Sequence, residues 1–230
     1  MNDRYPLEEL EKSIGWEFRN KDYLFTAVTH ASYMNERVMN RTQDYERQEF
    51  LGDAVLELVV SEFLFNTYPD MDEGKLTKLR SSLVCEPSLA LCAKEISLSE
   101  YIRMGKGDDI HGSRYRDSIV SDVFEALIGA LYLDGGLDVA KPFIERFVLK
   151  DHEKKTAFVD SKSMLQNHVQ KNGMSLEYIL VGQEGPDHDR IYEMAAVING
   201  KEKARGKGHT KKAAEQQAAR AAYEMIKDGE

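Results

Sequence analysis

YERQEFLGDAVLEL, residues 45–58, decides how the first part of this chain folds. Read as a helix at about 100° per residue, it places Glu46, Glu49, Asp53 and Glu57 in one narrow stripe. Around that stripe stand Phe50, Leu51, Val55, Leu56, Leu58, Val59 and Val60. A helix apolar over most of its circumference is expected to be buried. Buried carboxylates need a cationic partner or a metal, and like charges at i,i+4, such as Glu49 and Asp53, work against the helix that carries them. The alternative is a solvated acidic face.

A second segment turns the balance toward a metal. SIVSDVFEALIGALYLD, residues 118–134, reads as a strongly apolar helix with only Asp122 and Glu125 as acids in its interior. These two stand at i,i+3 and face the same way. Two apolar helices, each interrupted by a pair of carboxylates, suggest four acids converging on something cationic. Hard oxygen donors with no nearby Cys or His favour Mg²⁺, with Mn²⁺ as a substitute, over zinc.

At 230 residues, 42% hydrophobic and 31% charged with five prolines, the chain is expected to fold as one sizeable domain or a medium one plus a small one. No stretch has the length of a membrane span, and the opening MNDRYPLEELEK lacks the apolar core of a signal peptide. Cys85 and Cys92 lie two helical turns apart, roughly 10 Å along the axis, too far for a disulfide. A cytoplasmic protein with reduced thiols and no membrane partner is the expectation.

Helices are expected over 6–13, 22–30, 44–66, 72–84, 87–97, 118–133 and 137–150, with Asp72 capping one and Gly135-Gly136 ending another. The polar DHEKKT at 151–156 reads as part of a linker. After it the pattern changes: a short helix over 162–171, strands over 176–181 and 191–198, an Asn199-Gly200 hairpin turn, a return strand over 201–205, and an alanine-rich helix from Thr210 to about 226. The fold class is therefore an all-α domain over 1–150, a linker over 151–159, and a small α+β domain, α-β-β-β-α, over 160–230.

Net charge is −9, which taken alone speaks against a nucleic-acid partner, but from Asp160 onward acids and bases balance at eleven each. Within that neutral part Lys201, Lys203, Arg205, Lys207, Lys211 and Lys212 cluster against Glu202 alone, and local patches steer phosphate binding more than the molecular total. Lys211 and Lys212 sit in the first turn of a helix, where the macrodipole disfavours cations, so the position reads as an anion site or as two solvated lysines. His30 reads as a structural hydrogen-bonding residue and Trp16 as core; Tyr33 has no assigned role, and His209 either approaches phosphate or completes its loop.

The run ERQEFLGDAVLEL at 46–58 closely resembles the signature of ribonuclease III. THASY at 29–33, DEGKLTKLRSSLV at 72–84, GKGD at 105–108 and DSIVSDVFEALIGALYLD at 117–134 follow in the family's order. KSMLQ at 162–166, GPDH at 185–188 and KKAAE at 211–215 resemble a double-stranded-RNA-binding domain. The resemblance is to the bacterial type, with one catalytic and one binding domain. It implies that Glu49, Asp53, Asp122 and Glu125 hold the catalytic metal and that Glu46 and Glu73 are auxiliary acids. It also implies that Gln166, Asn167 and the loop of Gly185, Pro186 and His188 enter successive minor grooves while Lys211 and Lys212 take phosphates between them.

Two residues depart from the pattern. Gln48 stands where leucine is usual, and Asn167 where glutamate is common; neither removes one of the four acids. The resemblance implies a homodimer that cuts both strands of duplex RNA, leaving 5′ phosphates, 3′ hydroxyls and a short 3′ overhang. Its substrates would be precursors of ribosomal RNA and structured mRNAs. A non-cleaving RNA-binding regulator is the rival that loss of an acid would have favoured. A phosphohydrolase of small substrates is a second, against which the basic C-terminal domain argues.

Overall fold

The 3.6-residue periodicity of the first 150 residues becomes, in the computed structural model, a run of α-helices: α1 (Leu7–Ile14), α2 (Lys21–Ala27), α3 (Ala31–Glu36), α4 (Glu46–Thr67), α5 (Glu73–Leu83), α6 (Glu86–Glu95), α7 (Lys106–Ile110), α8 (Asp117–Gly135) and α9 (Leu137–Ile144). The structure describes residues 6–36, 44–152, 162, 164–166, 168–185, 190–208 and 210–227. Contacts divide the chain into two compact units, Met1–His152 and Glu153–Glu230.

In the first unit α8 is the axis, because its sequence is apolar all round. Val120, Val123, Phe124, Ala126, Leu127, Ile128, Ala130 and Leu131 are all buried, with α2, α4, α6 and α9 packed around them. Leu56, Val59, Val60 and Leu64 of α4 and Leu89, Cys92 and Ala93 of α6 complete that core. Cys85 and Cys92 are not joined in a disulfide.

Caps and breaks fall where local chemistry sets them. Asp72 Oδ1 accepts the Lys75 N–H at 2.9 Å. Gly136, at φ +71°, ends α8. Helix α9 holds Pro142 and passes into a wider π turn over Glu145–Leu149, so the segment expected as one helix changes its winding midway. Helices α3 and α7, together with 3₁₀ turns at Leu98–Tyr101 and Ser113–Tyr115, were not foreseen: each is too short to show a period. Trp16 packs against the core and its indole N–H donates to Asp134 Oδ2 at 2.9 Å.

The second unit is a helix over 162–171 (α10, residues 163 and 167 being outside those described), then β1 (Leu176–Glu184), β2 (Ile191–Ile198), β3 (Lys201–Gly208) and α11 (Lys211–Lys227). The three strands are antiparallel in the order β1-β2-β3. Ile198 pairs with Lys201 across a two-residue loop whose Asn199 and Gly200 take φ of +49° and +73°. This is the type I′ geometry for which Asn-Gly is the preferred sequence. Strand β1 runs past the expected end to Glu184 through an irregularity between Leu180 and Gly182, and β3 runs to Gly208.

Leu165 and Val169 of α10, Ala196 and Ile198 of β2, and Ala218, Ala219 and Ala222 of α11 form the core of this unit. Small residues are needed there: a Cβ at Gly206 would overlap the α11 backbone at Ala214 and Ala218. Thr210 Oγ1 accepts the Ala213 N–H at 3.0 Å and caps α11 as expected. Of the expected linker only Asp151 and His152 are described. His152 is held at the end of the first unit by Tyr68 Oη at 2.7 Å and the Leu149 carbonyl at 3.0 Å. Among the described residues no helix is long and apolar enough to cross a membrane.

Candidate active site and nucleic-acid interface

Two glycines let the acid-bearing helices meet. A Cβ at Gly52 of α4 would fall inside the Glu125 carbonyl and the Gly129 nitrogen of α8. A Cβ at Gly129 would in turn strike the Gln48 carbonyl. The helices therefore cross almost backbone to backbone. That crossing sets Glu49 and Asp53, which flank Gly52, beside Asp122 and Glu125.

The electrostatics report this convergence. Burial pushes the Glu125 carboxyl up to about 8, reinforced by the charges of Asp53, Glu49 and Asp122. Burial likewise lifts Glu49 to about 7, with Asp122, Glu46 and Asp53 adding to it. Asp122 is raised by burial and by Glu86, while a hydrogen bond from Ser121 and the charge of His30 oppose the shift. Glu125 thus feels both acids of α4, and Glu49 feels Asp122 of α8. Asp53 and Glu46 are exposed, and Glu49, Asp122 and Glu125 are half-buried.

Glu57, the fourth member of the stripe, is separate in kind. It lies 3.8 Å from Arg80 of α5 and is balanced there. Among the described residues none of Glu49, Asp53, Asp122 and Glu125 has an ion-pair partner. Nor, among the described residues, do three His, Cys, Asp or Glu side chains stand close enough to hold an ion as they are turned. Like-charged carboxylates do not draw one another to a point; what the fold supplies is the placement of their backbones. Glu73 stands apart on the exposed first turn of α5, where Thr77 Oγ1 donates to it at 3.1 Å.

Three uncharged or weakly charged groups border the acids. Tyr45 is 5% exposed, and burial together with Asp122, Glu49, Glu46 and Asp44 holds its phenol protonated well above the ordinary range. Sequence reasoning missed it, although its place one turn before Glu49 was a usable signal. His30 Nδ1 accepts the Ser32 N–H at 3.2 Å and lies 2.8 Å from Ser32 Oγ, as a structural histidine does. Gln48 is 6% exposed, and its buried Oε1 finds no hydrogen-bond donor. The burial that leucine would give at this position is kept at the cost of an unsatisfied carbonyl.

The expected burial of α4 is only half realised. Val55, Leu56, Val59 and Val60 are buried, but Phe50, Leu58 and Phe65 are 82%, 59% and 72% exposed. They line one side of the helix, spaced by about two turns.

In the second unit Gln166 is exposed on α10, and Gly185 ends β1 at φ +91°. Asn167, Pro186, His188 and His209 lie outside the described residues. Lys211 and Lys212 are both exposed at the start of α11, and Lys211 Nζ is 6.0 Å from the Tyr192 ring. The wider basic cluster read from sequence does not stay together. Ala204 and Gly206 point into the core beneath α11, so Arg205 and Lys207 point to the opposite side of the sheet. There Arg205 meets Glu202 at 2.7 Å, and Lys207 lies 4.0 Å from Glu184. Only Lys211 and Lys212 remain at the helix start.

Known proteins share this arrangement. The family described as Ribonuclease-III-like matches residues 20–152, and the double-stranded RNA binding motif matches residues 161–226. Ribonuclease 3 of Listeria monocytogenes is 46% identical over 222 residues, spanning 95% of this chain and 97% of its own. Ribonuclease 3 of Geobacillus kaustophilus is 45% identical over 227 residues, spanning 97% and 92%. The solved nuclease domain of ribonuclease III from Campylobacter jejuni superimposes with a TM-score of 0.59 at 40% identity, covering 64% of this chain and 98% of that domain. A helical nuclease unit followed by a three-stranded RNA-binding unit, matched over nearly its whole length by such relatives, places the chain in the ribonuclease III family of double-stranded-RNA-specific endoribonucleases.

Proposed function

We propose that the chain cuts double-stranded RNA by metal-assisted hydrolysis, with Glu49, Asp53, Asp122 and Glu125 as the ligand set. The observation that carries this reading is the close crossing of two acid-bearing helices at Gly52 and Gly129, with Glu49 and Glu125 raised to about 7 and about 8 and, among the described residues, no ion-pair partner for the four acids. Such a set is all oxygen and all anionic, the donor chemistry that suits Mg²⁺ or Mn²⁺. When bound, the metal supplies an activated water and stabilises the leaving 3′ oxygen.

The rest of the chemistry belongs to the chain. A bound cation would offset the burial and mutual repulsion that oppose ionisation of Glu49 and Glu125. Tyr45, buried beside Asp122 and Glu49, keeps its phenol protonated next to the acids. Glu46, whose charge acts on Glu49, and Glu73, exposed at the first turn of α5 away from the four acids, are auxiliary acids. In the second unit Gln166 of α10, with Asn167, Gly185, Pro186 and His188, would enter minor grooves. Lys211 and Lys212 take phosphates across the major groove between them, in a shape-and-backbone reading of A-form duplex.

The exposed Phe50, Leu58 and Phe65 support a homodimer through α4, since side chains of this size are rarely left in water without a partner. The Campylobacter nuclease domain is described as having a flexible region involved in dimer formation. Two sites so paired would cut opposite strands, giving 5′ phosphates, 3′ hydroxyls and a short 3′ overhang. Ribosomal RNA precursors and structured mRNAs in the cytoplasm are substrates of that form. The domain limits that serve this reading are 1–150 for catalysis and dimerisation, 151–159 for the linker and 160–230 for duplex binding.

Digestion of a perfectly paired RNA in Mg²⁺ tests the reading. The unaltered chain is expected to run as a dimer by light scattering and to leave staggered fragments with 5′ phosphates. Phe50→Glu is expected to run as a monomer and to lose the paired cuts. Blunt ends, 3′ phosphates, or staggered cutting by a monomer would overturn it.

A further inference from the structure

Lys162 and Glu215 join the two helices of the second unit. Lys162 Nζ lies 2.5 Å from Glu215 Oε2 and 4.8 Å from the centroid of the Tyr178 ring, so the ammonium is held between a carboxylate and an aromatic face. The Glu215 side chain is 25% exposed. The Tyr178 hydroxyl is buried without a hydrogen-bond partner, and burial followed by the charge of Glu215 pushes this phenol up to about 12.

The location gives the pair a meaning. Lys162 precedes Gln166 by one turn of α10, and Glu215 follows Lys211 and Lys212 by one turn of α11, so each lies on the same face as its neighbour. The pair therefore stands roughly 6 Å along the axis from each proposed duplex contact. Charge alone gives no reason for an acid here. Glu215 lowers the positive potential around two lysines that grip phosphate, and it occupies a third cation that could have joined them.

We infer that Glu215, held on Lys162 over the Tyr178 ring, is a positioning residue that fixes the spacing between the groove-contacting helix α10 and the phosphate-contacting start of α11. The inference rests on the duplex-binding reading above. With the spacing fixed, Gln166 and the lysine pair meet the duplex in register. Without it, α10 and the start of α11 lose their common reference.

Equilibrium binding of a perfectly paired RNA to the full chain, in chelator so that nothing is cut and over a range of salt, tests it. The variants are E215Q, K162Q and the double substitution. Each single change is expected to weaken binding roughly five-fold, the scale of one part-exposed charged hydrogen bond. The double variant should bind no worse than either single one, because one interaction is lost in all three. The slope of log K against log salt should flatten by about one phosphate contact. Glu215→Asp, which keeps the charge, should retain more affinity than E215Q.

If E215Q binds as tightly or tighter, removal of a repelling charge is the whole effect and the inference fails. It fails equally if the single losses add in the double variant, or if the variants lose native circular dichroism, which would make the pair merely structural. An unaltered chain that binds no duplex would overturn the functional reading itself, a result the variants could not mimic.

Discussion

At the scale of single residues, Glu125 and Glu49 are held in a place where a carboxylate is costly to ionise. Their folded values, about 8 and about 7, lie above the ordinary 4.5. Between these limits the folded chain binds more protons than the unfolded one, so stability falls as pH rises. The contribution is complete below about 4.5 and lost as pH rises through about 7 to 8. We expect the thermal midpoint of the chelator-treated protein to fall between pH 5 and pH 8, by roughly a few degrees for a domain of this size. Glu125→Gln should flatten that fall, and Mg²⁺ should offset it most at the alkaline end, where the carboxylates are charged. A midpoint indifferent to pH in chelator would mean that these acids are not forced together. Gln48 belongs to the same scale: its identity was legible in the sequence, but its buried unpartnered Oε1 was not, because rotamer and neighbours decide it.

Among the elements, the crossing of α4 and α8 matters most for the site, and it depends on Gly52 and Gly129. Gly52→Ala would drive a methyl into the Glu125 carbonyl and the Gly129 nitrogen, neither of which is a flexible side-chain end. The expected cost is roughly 2–4 kcal/mol, read as a lowered urea midpoint with an unchanged m-value. An unchanged midpoint would show that the helices are not in contact there. The acid spacing on each helix was legible in the sequence, since i,i+3 and i,i+4 positions share a face whatever the tertiary fold. What brings the two pairs together was not, because a glycine in a helix carries no signal of what approaches it. Helices α3 and α7 escaped notice for a different reason: neither is long enough for an amphipathic pattern to repeat. The Asn199-Gly200 turn was legible because its φ values are set locally, without help from the fold.

The molecule as a whole consists of two units with separate cores, one helical and one with α10 and α11 on a three-stranded sheet. Its net charge of −9 hid the division of labour until the acids of the first part were set apart from the balanced second part. The basic cluster of the tail was over-read, because alternation along β3 sends Arg205 and Lys207 to the face opposite α11. The apolar surface of α4 was legible in the sequence, but which of its residues stay exposed, Phe50, Leu58 and Phe65, was not, because the packing of α8 decides which side is buried. The central claim is that the first unit cuts through its four acids while the second binds on its own account. Side-by-side assays of duplex binding and duplex cutting test it most directly, on the unaltered chain in Mg²⁺ and in chelator, and on Glu125→Gln in Mg²⁺. The account predicts that cutting falls by about a thousand-fold or more in chelator and in the variant, the loss expected when charge stabilisation of the transition state is removed, while duplex affinity stays within about two-fold. Undiminished cutting by Glu125→Gln, or binding that falls in step with cutting, would contradict it.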